Sequence, residues 1–245
     1  MRELNSVLGR TMTLLKAFRP SDTVVSLAEL NRRTGIPKST AHRLLAELAE
    51  WQIVERSGIG FRLGMRLFEL GQLAPVQRGI REAAAPFLAD LFEATHQTVH
   101  LAVLDGTDVV YLHKLEAKNC PPVGSRLGGR MPVYCTGVGK AMLAFAPTQL
   151  IDEVIAKGMR RRAPRTLVAP GVLGRELATV RASGFAQERE ESAVGVACVA
   201  APVLSADGSP LAAISVTGWS SQFKAATYAP AVRTAALGIA RTLRL

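Results

Sequence analysis

Four short constellations in this sequence carry residue types that could do chemistry. Gly137-Val138-Gly139-Lys140 has the glycines and lysine of a phosphate-cradling loop. Tyr134, however, occupies the upstream glycine position, and Ala141 stands where a Ser or Thr would reach a magnesium ion, so an ATPase reading fails. His96 and His100 are spaced four apart like zinc ligands on a helix, but Gln97 stands where a zinc peptidase needs glutamate. They also lie where a strand begins, so the two rings would not share a helix face. Cys135 and Cys198 could act as nucleophiles with His100 or His113 as base. The plainer reading of a cysteine inside Val196-Ala197-Cys198-Val199 is a buried small hydrophobe. The fourth constellation is basic: residues 31–46 hold Arg32, Arg33, Lys38 and Arg43 and no acid. Such a stretch on a small domain is a footprint of binding to phosphate backbones, a solvated charged face being the bland alternative.

The elements that would position the basic residues are legible. Leu4, Val7, Leu8, Leu14, Leu15 and Phe18 fall near helical spacing and stop at Pro20. Ser26-Leu27-Ala28-Glu29 is a capping-box pattern, opening a short helix that ends at Gly35. Pro37 suits a first helical residue. The next helix carries Ala41, Leu44, Leu45 and Leu48 as an apolar stripe. Lys38, Ser39, Thr40, His42 and Arg43 lie on its other face. Residues 53–56 and 61–63 read as two strands around the glycine-rich turn 57–60, a wing on which Arg56 and Arg62 could touch the DNA backbone. Helix, Gly turn, basic helix and wing in this order predict a winged helix-turn-helix whose second helix reads base edges in the major groove. A small helical protein-interaction domain is the competing reading. Arg33, Lys38, Ser39, Thr40, His42, Arg43, Arg56 and Arg62 are the expected DNA contacts.

The remaining residues predict an α+β domain. Residues 65–80 look helical and end around Pro75 and Gly79, a plausible hinge, and 80–95 form another helix. Residues 98–104 and 109–115 flank an Asp-Gly turn, and 196–204 and 211–217 flank a second, so two hairpins are expected. Helices are expected at 138–145, 150–155 and 174–182. The expected domains are a DNA-binding domain at 1–66, a linker helix at 67–80 and an α+β sensor domain at 81–245.

Composition agrees. The 245 residues are 48% hydrophobic, which excludes a disordered chain, and carry 30 Lys+Arg against 20 Asp+Glu, a net charge of +10. No apolar run is long enough for a membrane span, and Met1-Arg2-Glu3-Leu4-Asn5 lacks the apolar segment of a secretory signal. Three cysteines without a Cys-x-x-Cys argue against a disulfide framework, so a reducing cytoplasmic setting is expected, with no cofactor and no metal.

At this point the sequence resembles a known family. The run from Leu27 through Leu45, followed by Phe61-Arg62-Leu63-Gly64, is similar to the DNA-binding half of the IclR-type bacterial transcription regulators. Gly137-Val138-Gly139-Lys140-Ala141-Met142-Leu143-Ala144 resembles that family's Gly-x-Gly-Lys-Ala-x-Leu-Ala block. Gly184-Phe185-Ala186, Glu190-Glu191 and residues 195–203 resemble its second, and Ser215-Val216-Thr217-Gly218 its last. The resemblance implies a GAF-like effector domain, a homodimer or homotetramer, and a ligand-responsive regulator of a metabolic operon. It further implies effector contacts at Gly137, Val138, Glu188, Cys198, Ser215 and Thr217. Glu188 stands where Asp is frequent, and Tyr134-Cys135-Thr136 is a bulkier approach to the glycine than is common. A thiol-dependent small-molecule enzyme with an accessory winged helix is the alternative function.

The implied contacts suit a small organic acid. A helix start at Gly137 offers backbone N–H groups to a carboxylate. Ser215 and Thr217 alternate on one strand and share a face. Cys198 would be a weak donor or an apolar wall. Glu188 repels an anion unless it accepts from a ligand hydroxyl or is protonated by burial.

Overall fold

The computed structural model describes residues 6–243; Leu4 and the N-terminal pentapeptide read above lie outside them. The chain divides into two compact units, up to Pro75 and from Val76 onward. In the first, α1 (Val7–Lys16) is capped by the Ser6 hydroxyl, which accepts from Gly9 N–H. β1 (Val25–Ser26) leads into α2 (Leu27–Thr34), where the Ser26 hydroxyl accepts from Glu29 N–H at 3.2 Å. The reciprocal half of the expected capping box does not form. Glu29 instead takes Arg32 and Arg33 at 2.7 Å each, because charge-assisted bonds outcompete a neutral amide donor. Gly35 closes α2 at φ 70°, a left-handed cap that glycine adopts without a Cβ penalty. Pro37 is then the cap of α3 (Lys38–Glu50) rather than its first residue.

β2 (Val54–Ser57) and β3 (Gly60–Leu63) form the wing hairpin, and β1 pairs along the other edge of β3. Leu14, Leu30, Ala41, Leu44, Leu45, Val54 and Phe61 meet in one small core. Arg33 is corrected here. Its guanidinium bonds Asp22 at 2.5 Å, the Ala17 carbonyl at 2.8 Å and Glu29, and its side chain is only 12% exposed. It fastens the segment after α1 to α2 and does not face a DNA ligand.

The stretch expected as one linker helix is two. α4 (Met65–Gln72) stops before Pro75, and α5 (Pro75–Thr95) starts on it and runs through Gly79. A proline lacks an N–H that the first helical turn does not use, so it opens α5 where a terminus was expected. Met65, Phe68, Leu70 and Leu73 are exposed on and just after α4.

The second unit is built on one antiparallel sheet. Its strands are β4 (Thr98–Asp105), β5 (Asp108–Leu115), β6 (Arg130–Pro132), β7 (Ala186–Arg189), β8 (Val196–Leu204) and β9 (Pro210–Trp219), in the order β6-β5-β4-β9-β8-β7. α6 (Gly137–Leu143), α7 (Thr148–Lys157) and α8 (Pro170–Ser183) fill the chain between β6 and β7, and α9 (Ala225–Leu243) closes it. Strand alternation sorts the side chains. Val99, Leu101, Val199, Ala201, Ile214 and Val216 pack with α5 and α9. Ala102, Tyr111, Ala200 and Ala213 pack on the opposite face with α6, α7 and α8. Winged helix first and helix-covered antiparallel sheet second give the expected α+β architecture.

The Arg33 cluster generates a pH expectation. Arg33 holds Asp22 at about 2, and Arg32 then Arg33 hold Glu29 at about 2, below ordinary carboxylate values. Lowered native values stabilise above about pH 4, and that stabilisation is lost as pH falls towards 2. Arg33→Ala should lower the melting temperature at pH 7 and flatten its dependence between about pH 4 and 2. Thermal unfolding of the two proteins across that range, followed by circular dichroism, checks it.

Candidate nucleic-acid interface and effector pocket

The leading turns of α3 present Lys38, Ser39, His42 and Arg43 to solvent, with Thr40 half-buried beside them. Ala41, Leu44 and Leu45 anchor the opposite face in the core, so the polar face is held rigidly outward. Arg43 bonds Glu47 at 2.6 Å, an acid one residue beyond the acid-free window. Both side chains are half exposed or more, and such a pair contributes about 0–1 kcal/mol, so a phosphate or base edge can replace it. On the wing, Arg62 pairs with Glu55 at 2.7 Å across β2 and β3. Arg56 lies over the Phe61 ring, 5.7 Å from its centre. The wing tip is Ile59, 96% exposed. Sequence reading passed over it as a turn residue, and its apolar character inside a glycine turn was the available signal.

In the second unit, the register lines polar groups up across the α6 face of the sheet. Glu188 on β7 pairs with Cys198 on β8, and Cys198 with Thr217 on β9. On the next rung Ala200 pairs with Ser215, and Ser215 with His100 on β4. Gly137 and Val138 at the start of α6 and Val123 to Ser125 from the β5–β6 connection close over these rungs. They leave a void of about 30 Å³, room for little more than a water molecule or two. Gly137 is required here: a Cβ would fall inside the Cys198 sulfur. The structure thus brings all six expected effector contacts together.

His100 is central, and sequence reading weighed it only as a metal ligand or a base. Its Nε2 bonds the Ser125 hydroxyl at 2.8 Å, and its Nδ1 lies 3.3 Å from Ser215 Oγ and 3.5 Å from Thr217 Oγ1. Burial, then the Lys114 charge, pushes its pKa down to about 3, so the ring is neutral. The two hydroxyls therefore meet an imidazole rather than neighbouring backbone. A polar residue at an inward position of an apolar strand was the sign of this role. Ser125, in an irregular connection, gave none.

Glu188 Oε1 accepts from Glu191 N–H at 2.7 Å, Ser192 N–H at 3.0 Å and the Ser192 hydroxyl at 3.2 Å. Burial still pushes its carboxyl up to about 7. Lys140 is engaged by carboxylates and is not free for a phosphate. It is fully buried and bonds Glu191 at 2.6 Å and Glu176 at 3.0 Å. Glu191 Oε2 is buried without a hydrogen-bond partner among the described residues.

The thiols fit this site as walls. Burial pushes Cys135 up to about 12 and raises Cys198 strongly. Cys135 Sγ faces the Pro132 carbonyl at 3.7 Å, and both His100 nitrogens are engaged with hydroxyls. No group of three His, Cys, Asp or Glu among the described residues is arranged to hold a metal. No helix among them is long and apolar enough to cross a membrane.

A thiol count checks the burial. In native protein at pH 8, a maleimide reagent should modify Cys120 rapidly and leave Cys135 and Cys198 untouched, whereas denaturant should expose all three cysteines. Mass spectrometry reads the number of adducts.

Comparison with known proteins places both halves. Residues 7–58 match the IclR helix-turn-helix domain, and residues 73–241 match the family described as bacterial transcriptional regulator IclR C-terminal. The chain is 31% identical to the HTH-type transcriptional regulator XynR of Escherichia coli over 96% of its length and 95% of that protein's. It is 32% identical to the Escherichia coli transcriptional repressor IclR over 86% of its length and 79% of that protein's. Among solved structures, an IclR homolog from Microbacterium hydrocarbonoxydans complexed with 4-hydroxybenzoate superposes with a TM-score of 0.91 at 30% identity, covering 98% of this chain and 99% of that one. The Thermotoga maritima IclR gives 0.80 at 31% identity, covering 97% and 98%. Winged helix, effector domain and their order along the chain all agree, and the protein belongs to the IclR family of ligand-responsive, DNA-binding bacterial transcription regulators.

Proposed function

We propose that the protein reads a double-stranded operator through the first two turns of α3, and that a small organic acid bound on the α6 face of the sheet shifts its affinity. Lys38, Ser39, Thr40, His42 and Arg43 would contact the duplex, with Arg56 and Arg62 of the wing on its backbone. The observation that carries the effector reading is the convergence of Glu188, Cys198, Ser215, Thr217 and His100 beneath Gly137 and Val138. A ligand there meets hydroxyl and imidazole donors on one wall and a carboxyl on the other, which suits an acid that also bears a hydroxyl. The 4-hydroxybenzoate held by the Microbacterium hydrocarbonoxydans homolog has this character. Buried thiols without a bonded base support binding rather than catalysis.

The functional unit is at least a dimer in this reading. The exposed Met65, Phe68, Leu70 and Leu73 give it apolar area to bury, and two wings double the base pairs read. Operator affinity should fall by about 0.9 log units per neutralised phosphate for each log unit of salt. Arg43→Ala should cost about 1–3 kcal/mol of operator binding if it meets a base. Fluorescence anisotropy on one- and two-half-site duplexes, with circular dichroism as the folding control, measures both. Unchanged affinity and salt slope would remove Arg43 from the interface.

The ligand is tested by calorimetry with matched acids: 4-hydroxybenzoate against benzoate, and glycolate against acetate. Each hydroxy acid should bind more tightly than its partner. Ser215→Ala with Thr217→Val should weaken the hydroxy acids by about 0.5–1.5 kcal/mol for each hydrogen bond removed. If no acid binds, or neutral aromatics bind best, the pocket is not an organic-acid site.

A further inference from the structure

The walls of this pocket hold His100, Tyr111, Glu188 and Cys198 but no lysine or arginine. Two nearby lysines have other partners, and Arg162, whose charge reaches Cys135, is exposed to solvent outside the pocket walls. Lys140 of α6 bonds Glu176 of α8 and Glu191, and Lys114 of β5 bonds Glu116 at 2.8 Å and the Ser125 carbonyl at 3.3 Å. The groups packed around Glu188 are Cys198 on β8, Tyr111 on β5, His100 on β4, Cys135 before α6, Lys140 on α6 and Glu191 in the following segment. From α8, Glu176 leans on Lys140, while Arg181 turns to the Ala144 carbonyl at 2.9 Å and Arg175 faces solvent. One lysine therefore stands against two carboxylates before Glu188 is counted. An anion entering this enclosure finds no countercharge, and burying it beside a second ionised carboxyl is strongly unfavourable.

Glu188 has the means to resolve this. Its Oε1 is occupied by two N–H donors and one hydroxyl, while Oε2 takes no hydrogen bond among the described residues. We propose that the pocket takes a monocarboxylate together with one proton from solvent, held on Glu188 Oε2, so that ligand and side chain meet through a single O–H···O hydrogen bond. The proposal rests on the organic-acid reading above and narrows it: a dicarboxylate or phosphate ester brings a second charge for which there is no second proton site. His100 is a poorer carrier because both its nitrogens are engaged with hydroxyls and Lys114 lies behind it. Burial, with the Glu191 charge, already holds the free Glu188 carboxyl near 7 against its N–H donors, and a neighbouring anion raises it further, so that the bound carboxyl keeps its proton at pH 8.

Above that pH the anion must draw a proton in, and its affinity falls as pH rises; below it the proton is already present and affinity is level. Calorimetry of 4-hydroxybenzoate at pH 8, in two buffers of different ionisation heat, should show close to one proton taken up per ligand. Neutral 4-hydroxybenzamide should show none. Affinity for the acid should be level between about pH 5.5 and 7 and then fall by up to tenfold per unit. Glu188→Gln, a permanently neutral donor of the same shape, should bind the acid without uptake and without pH dependence. His100→Gln should bind more weakly and still take up the proton. Binding of 4-hydroxybenzoate by the wild type without uptake would overturn the proposal and leave the organic-acid reading standing. Uptake that survives Glu188→Gln but not His100→Gln would overturn it in favour of the imidazole. Binding of the amide with no binding of the acid would overturn both readings.

Discussion

Strand register in the second unit is the constraint on which the candidate effector pocket depends. Side chains on a strand alternate between faces, so the pairing of Cys198 with Thr217 and of His100 with Ser215 decides what the pocket contains. A slip of one residue would send Ser215 and Thr217 into the apolar layer under α5 and α9, and would bring Ile214 and Val216 out of it. Register is therefore specified by the apolar partners on the far face. Opposite the step from Leu101 to Ala102, β5 carries one extra residue, Leu112, so the β4–β5 register shifts there while Ala102 and Tyr111 stay paired on the pocket side.

Two polar clusters brace the molecule in different dielectric settings. Arg33, Asp22 and Glu29 lie close to the surface of the first unit and tie segments that have little apolar area of their own. Lys140 and Glu191 lie inside the second, with the partly exposed Glu176 at the edge, and removing the lysine leaves the Glu191 charge without solvent. Replacing Lys140 alone would strand Glu191 without a countercharge and leave Glu176 to solvent, so its charge serves the fold and not the phosphate chemistry its glycine-flanked sequence suggests.

The winged helix was legible because its signals are local. Ser26, Gly35 and the stripe Ala41, Leu44, Leu45 each act within one or two turns. What escaped is what depends on distance. Arg33 looked like a ligand for phosphate because its partner Asp22 lies eleven residues upstream, in a different segment. Glu29 left its capping box because a stronger competitor sat one turn away. Pro75 carries the same sequence signal whether a helix ends before it or begins on it. In the pocket, Ser215 and Thr217 were legible by parity within one strand, but His100 and Ser125 join them only through pairing across the sheet and the closure of residues 116–129. No spacing in the sequence encodes that contact.

The smallness of the void has a further consequence. If the proposed acid settles on the sheet, the walls must part to admit it, and the Ser125–His100 hydrogen bond between the connection and the strands is one contact that would open. The concentration at which the regulator responds is then its intrinsic dissociation constant divided by the fraction of molecules already parted. On the proposed binding mode, the neutral hydrogen bond between Ser125 and the His100 imidazole would act as a set point. Strengthening it would raise the effector level needed for a response, and weakening it would lower that level, with no change to the groups proposed to meet the ligand's carboxylate. Sensitivity and selectivity are thereby separable, the first lying in the connection over the pocket and the second in the strands beneath it.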